Sequence, residues 1–287
     1  MVISPADIAH WQSWVGRSET ATDVIDVGKA QAMAATLDLR WILQPGAALP
    51  PLWHWIYFWS VSPISMLGAD GHAQRGGFLP PVSLQRRLWA GGRLQFLAPL
   101  AIGSAAQRVS TIKAVEIKQG KAGLLVFVTV SHEVLVHDKT VLYEEHDIVY
   151  RDAPGANDAV PKPKSAPSRS DWSRIITPDV VQLFRYSALT FNGHRIHYDR
   201  SYATQVEGYP GLIVHGPLIA TLLTDLVQRE IPKRTISEFT FRAVSPLFDI
   251  DPFSVHGCLE SDGCRVSLWA ANARGELAVQ AEAILEG

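Results

Sequence analysis

The apolar and polar positions divide the chain into helix-like and strand-like stretches, in the same order twice. Residues 4–39 read as largely helical: Ser4-Pro5-Ala6-Asp7 starts a helix, and Ile8, Trp11, Trp14 and Val15 recur at helical spacing. A second helix is expected over residues 27–37, where alanines give good propensity. Residues 45–51 read as a loop, 53–59 as a buried aromatic helix and 68–93, rich in Gly and Pro, as an irregular excursion. The pattern then changes to strands rich in Val, Ile and Thr at residues 105–118, 123–135 and 140–150, with Gly120-Lys121-Ala122-Gly123 as a hairpin turn. The second half opens at residues 178–190. A helix follows over about 217–229, with apolar residues around more than half of its circumference. Strands are expected at residues 236–243, 253–260, 264–272 and 277–285, with turns at Ser261-Asp262-Gly263 and Ala273-Arg274-Gly275.

Residues 151–170 differ in kind, being mostly Pro, Ala, Ser, Asp and Lys, and read as a Pro-stiffened linker. The division is therefore a first domain at 1–151, a linker at 152–170 and a second domain at 171–287. Helix first and antiparallel strands after, in both halves, predicts an α+β fold with a helix on one face of each sheet. The shared order suggests an ancient duplication.

Composition narrows the class. With 287 residues, 47% apolar and 19% charged, the chain has material for two cores and is not generally disordered. A net charge of -2 gives no bulk attraction to nucleic acid or to anionic membranes. Cys258 and Cys264 are too few for a disulfide framework and read as a buried pair of thiols, which suits a reducing cytosol. No signal peptide is apparent, and prolines interrupt the most apolar window, so a soluble cytoplasmic protein is expected.

The candidate chemistry lies between Phe184 and Leu223, which hold His194, His197, His215 and Arg195 among small and apolar residues. Burial and close neighbours tune such groups for proton transfer. Three imidazoles are also a donor set that binds zinc. Asp199, ahead of Arg200-Ser201-Tyr202-Ala203, reads as a helix N-cap.

The run Phe191-Asn192-Gly193-His194-Arg195-Ile196-His197-Tyr198-Asp199, with Gly211-Leu212-Ile213-Val214-His215-Gly216, resembles the MaoC-like enoyl-thioester hydratases. It looks closest to their two-domain branch that hydrates itaconyl-CoA or mesaconyl-C4-CoA to citramalyl-CoA. Arg86-Arg87-Leu88-Trp89-Ala90-Gly91-Gly92 is similar to the same branch. The resemblance implies a double hot-dog fold, two antiparallel sheets each wrapped on a central helix. It also implies a hydro-lyase that takes CoA as part of its substrate, with no metal or other cofactor, and assembly as a homodimer. His197 falls on the family's catalytic His and Asn192 on its catalytic Asp, so an amide stands where the family has a carboxylate. His197 is then expected as general acid/base, with His194 and Asn192 placing water or sharing the proton. Gly216 is expected to bind the thioester oxygen at the start of a helix, and Arg195 a free carboxylate of the substrate. Arg86, Trp89 and Gly91 are further candidates for substrate binding, with Arg93 as a competing cation. The first domain, without the histidine motif, is expected only to wall the acyl tunnel. A general 3-hydroxyacyl-thioester dehydratase, a non-catalytic acyl-CoA binder and a hot-dog thioesterase are the alternative readings.

Overall fold

The computed structural model describes residues 3–120, 123–152 and 162–286. Ser4 and Asp7 cap each other's backbone and start α1 (Pro5–Gln12), with proline in the first turn where no N–H is needed. The expected helical run is then interrupted by β1 (Ser18–Val24), a strand whose side chains alternate between exposed and half-buried. Asp26 caps α2 (Val27–Thr36) by accepting the Lys29 N–H at 2.9 Å. The aromatic run 53–59 forms a single 3-10 turn, Trp53–Ile56, buried as expected but not a longer helix.

Residues 86–93 do not belong to an irregular excursion. They form most of β2 (Arg86–Phe96), followed by β3 (Ala105–Gly120), β4 (Gly123–Val136) and β5 (Lys139–Arg151). The β3–β4 turn expected at 120–123 includes residues 121 and 122, outside the described residues, but Gly120 and Gly123 pair across it. The second half adds β6 (Trp172–Ile176), α3 (Val180–Leu189), α4 (Gly216–Glu230), β7 (Thr235–Ala243), β8 (Phe253–Leu259), β9 (Arg265–Asn272) and β10 (Leu277–Glu286). Part of the expected linker, 153–161, lies outside the described residues. Its later part is tied down, since Ser165 bridges Glu276 and the Ala166 N–H donates to the Gly275 carbonyl at 2.9 Å.

All ten strands join one antiparallel sheet in the order β1-β3-β4-β5-β2-β7-β10-β9-β8-β6. The two sheets expected are therefore continuous, meeting where residues 91–95 of β2 pair with 238–242 of β7. Gly91 makes that approach possible: a Cβ there would lie 2.4 Å from the Phe241 carbonyl oxygen. Helix α4 is buried from Leu218 to Val227 and packs on β6–β10. Its start and the loop before it are thereby held at one edge of the core. Cys258 and Cys264 are both free, the first half-buried and the second exposed, so they are not the buried pair expected.

Candidate active site

The loop after α3 carries the histidines. Thr190 closes the helix by donating its hydroxyl to the Tyr186 carbonyl at 2.7 Å. Phe191 then adopts a left-handed conformation, φ 51°, and the Asn192 N–H returns to Ser187 O at 2.8 Å. The Asn192 side-chain oxygen accepts the His194 N–H at 3.0 Å, which braces the loop rather than leaving that oxygen free for water.

His197 sits in a 3-10 turn and is 8% exposed. Its Nδ1 lies 2.8 Å from the Ile213 carbonyl oxygen, which can only accept. Nδ1 therefore holds the proton and Nε2 presents its lone pair. Burial pushes His197 down to about 4, so it rests neutral. His215, fully buried, stacks on it with ring centroids 3.7 Å apart, and its Nε2 is 2.8 Å from the Ser187 hydroxyl. Desolvation holds His215 well below its usual value too, with His197 as a further unfavourable neighbour. On the other side His194 meets His197 edge-on at 5.5 Å.

The row continues into the first half of the chain. His72 packs against His194 with ring centroids 4.1 Å apart, and its Nδ1 is 2.9 Å from an Asp70 carboxylate oxygen. Gly71 and Gly193 bring the two segments together backbone to backbone. A Cβ on Gly71 would fall 1.9 Å from Gly193 O, and one on Gly193 would fall 2.7 Å from Gly71 O. The Arg195 N–H donates to Asp70 O at 2.9 Å across the same contact. The first half thus places a carboxylate and an imidazole beside the histidines of the motif. Sequence reasoning missed Asp70 and His72 because they sit in a Gly-rich stretch far upstream of the motif. The available signal was Gly68-Ala69-Asp70-Gly71-His72, a carboxylate and an imidazole two apart between glycines.

Burial opposes ionisation of Asp70, but hydrogen bonds from the His72 ring and backbone N–H prevail and hold it well below the usual carboxylate range. His72 is lowered by burial, against Asp70, and Arg87 opposes its protonation further. His194 is lowered by burial and by its neighbour His72. All four imidazoles therefore rest as neutral bases.

Beside the row lies a cavity of about 480 Å³ lined by Asp70, His72, His194, Arg75, Arg86 and Arg87 among others. Most arginines near it are engaged. Arg195, expected to read a substrate carboxylate, binds Asp199 at 2.7 Å, donates to Ala69 O at 3.0 Å and lies over the Tyr202 ring. Its guanidinium is committed to the loop, and Asp199 also caps the next turn by accepting the Tyr202 N–H at 3.0 Å. Arg86 pairs with Glu207 at 3.2 Å, and Arg75 donates to the carbonyls of Val82, Leu84 and Gln85. Arg93 is on the surface, bound to Glu145 and Asp147. Arg87 lines the cavity and, among the described residues, makes no ion pair with a carboxylate.

Two other expectations change. Trp89 donates its indole N–H to Gly91 O at 2.8 Å and packs on Trp55 and Phe241, so it belongs to the core at the sheet junction. Gly91 serves the same junction. Gly216 begins α4, where a Cβ would meet nothing within 4 Å. A ligand oxygen can therefore approach its backbone.

Among the described residues His194, His197 and His215 do not bring one donor atom each within 4.8 Å of one another, so the zinc triad is not assembled. Asp70, His72 and His194 do bring one donor atom each within 4.8 Å of one another. There the Asp70–His72 hydrogen bond engages His72 Nδ1 and one carboxylate oxygen.

Residues 52–249 match the family model described as hydroxyacyl-thioester dehydratase type 2. The chain is 46% identical to mesaconyl-C(4)-CoA hydratase of Chloroflexus aurantiacus over 286 residues, covering 97% of this chain and 99% of that one. It is 30% identical to the mitochondrial hydroxyacyl-thioester dehydratase type 2 of Schizosaccharomyces pombe, covering 77% and 80%. Among solved structures, a MaoC-like dehydratase from Phytophthora capsici superposes with TM-score 0.69 at 15% identity, covering 97% and 98%. A Mycobacterium tuberculosis protein described as a double hotdog fold superposes with TM-score 0.60 at 15% identity, covering 95% and 96%. These two likenesses concern the fold.

Proposed function

Since the chain belongs to the hydroxyacyl-thioester dehydratase type 2 family, we propose that it adds water to mesaconyl-C4-CoA, or to its isomer itaconyl-CoA, giving citramalyl-CoA. The observation that carries the substrate class is Arg87, a guanidinium without a carboxylate partner among the described residues, facing a cavity beside four neutral imidazoles. An apolar acyl chain would leave that charge uncompensated, whereas a dicarboxylate thioester pairs with it. In mesaconyl-C4-CoA the free carboxylate is attached to the β-carbon. An Arg87 grip on it therefore places the reacting carbon near the imidazoles. Arg87 takes the selector role first expected of Arg195.

The reaction needs a base for water and a donor for the enolate. On mesaconyl-C4-CoA, whose double bond is conjugated with the thioester, a C–O bond forms at the β-carbon as the water O–H breaks, and the π electrons move onto the thioester oxygen. His197 Nε2 is the proposed acid/base, with His194 beside it and Asn192 bracing the loop that carries both. The Gly216 N–H at the positive end of α4 is the proposed partner of the thioester oxygen. A proton delivered to the α-carbon completes the addition. The same proposal includes two hot-dog units at 1–151 and 171–287, no metal or other cofactor beyond the CoA of the substrate, homodimeric assembly and a cytoplasmic location. No helix among the described residues is long and apolar enough to cross a membrane.

The test is a hydration assay of purified protein on mesaconyl-C4-CoA, itaconyl-CoA and crotonyl-CoA, with products identified by mass. Water added to the dicarboxylate thioesters alone is expected. Arg87→Met should cost about tenfold or more on these substrates, as expected for a lost charged contact. Preference for crotonyl-CoA would discard the selector in favour of a general dehydratase. No hydration of any of the three would favour an acyl-CoA binder.

A further inference from the structure

Among the described residues no carboxylate is hydrogen-bonded to any of the three motif histidines, and the nearest to them, Asp70, comes within 4.8 Å of His194 only. His197 bonds a carbonyl, His215 a hydroxyl, and His194 packs against other rings. A neutral imidazole that accepts a proton without a nearby anion forms an imidazolium in a desolvated place, which is unfavourable. The cavity lining holds two carboxylates, Asp70 and Glu207, and Glu207 is paired with Arg86. Asp70 alone is bound to an imidazole. Its contact with His72 takes Nδ1 and leaves Nε2 as the atom free to exchange a proton.

We propose that the Asp70–His72 pair, supplied by the first half of the chain, is a proton-transfer unit of the hydration reaction. This rests on the hydration reading above. His72 Nε2, rather than His197, takes the proton of the attacking water while Asp70 holds the tautomer and stabilises the imidazolium, and His197 keeps the acid half of its role. The proton passes along His194 to His197, which delivers one to the α-carbon. One O–H bond and the C=C π bond break, one C–O and one C–H bond form, and the site returns to its starting protonation. The Gly71–Gly193 contact keeps both ends of this row in register.

The groups acting on His72 are Asp70, which favours its protonation, and Arg87, Arg75 and the His194 ring packed on it. Asp70→Asn removes the one favourable charge and offers an amide that can hold the opposite tautomer. Turnover should then fall by about 10²-fold or more. The acid limb of the pH–rate profile should move to lower pH, because the base becomes harder to protonate. His72→Ala should lose about 10²–10⁴-fold in kcat, with a smaller change in KM. Added imidazole should restore part of the lost rate. A structural role for His72 would give neither the displaced limb nor the rescue. Melting temperatures accompany both variants. Variants that melt like the wild type but keep its rate and acid limb, or a His72→Ala protein that imidazole does not revive, overturn the pair. Wild-type protein that hydrates none of the thioesters overturns the hydration reading instead.

Discussion

Replacing Gly71 by Ala tests whether the two halves must meet as closely as the structure shows. Gly71 has φ 87° and lies against Gly193 with space for hydrogen only. A new Cβ would stand 1.9 Å from Gly193 O, and real Cβ atoms do not approach closer than 3.0 Å, so the segments must part by at least 3.0 − 1.9 = 1.1 Å. That displacement lengthens the 2.9 Å bond from Arg195 N to Asp70 O beyond hydrogen-bonding range. It also draws His72 away from His194. Misplacing catalytic groups by about 1 Å costs on the order of 10²-fold in rate. Alanine at positive φ adds about 1–2 kcal/mol of backbone strain. A control separates these effects. Gly76 has φ 89°, but a Cβ there would find its nearest neighbour, Pro81 Cβ, at 3.6 Å, so Gly76→Ala carries the strain without the collision. Steady-state hydration of mesaconyl-C4-CoA and a thermal melt would be recorded for both. The expected result is a melting loss in both variants, larger in Gly71→Ala, and a rate loss confined to Gly71→Ala. Equal kcat/KM for the two variants would refute the argument that this contact sets the geometry of the site.

Two further outcomes follow from the buried imidazoles. His197→Ala removes Nε2 and should lower turnover by about 10²–10⁴-fold in the same assay, and near-normal activity would sink its role as acid/base. Stability should fall as the pH drops from 6.5 towards 4. Burial lowers His146 and His197 to about 4 and His132 to about 3, so the unfolded chain binds protons first over this window. Each such group contributes up to about 1.4 kcal/mol per pH unit. Melting temperatures that stay level from pH 7 to pH 5 would contradict the neutral, buried state of these side chains.

What could be read from the residues follows from where burial imposes a pattern. Strands β3–β5 and β7–β10 and helix α4 present continuous apolar faces to the core, so their periodicity survives in the sequence. Strand β1 has the composition SETATDV and lies at a sheet edge with its outer side chains exposed, so no apolar face marks it. Strand β6 is five residues long and occupies the other edge. Strand β2 was obscured for the opposite reason. It lies at the centre, and Gly91 and Gly92, which resemble loop residues in a sequence, are there because a neighbouring backbone leaves no space for a side chain. The site shows the same division. The motif loop marks His194, His197 and His215 as neighbours because they are close in sequence. Asp70 and His72 reach them only through a tertiary contact between glycines, which leaves no periodic trace. Arg195 and Arg87 could not be ranked without knowing that Asp199 binds the first.

The β2–β7 ladder has a mechanical consequence for the cavity beside it. Arg87 stands on β2, and β7 follows α4, the helix that begins at Gly216. Five consecutive residue pairs lace these strands together, so the halves cannot hinge apart without tearing the middle of the sheet. The cavity is therefore cut to width when the chain folds, and on the hydration reading turnover would proceed in a frame that is already set.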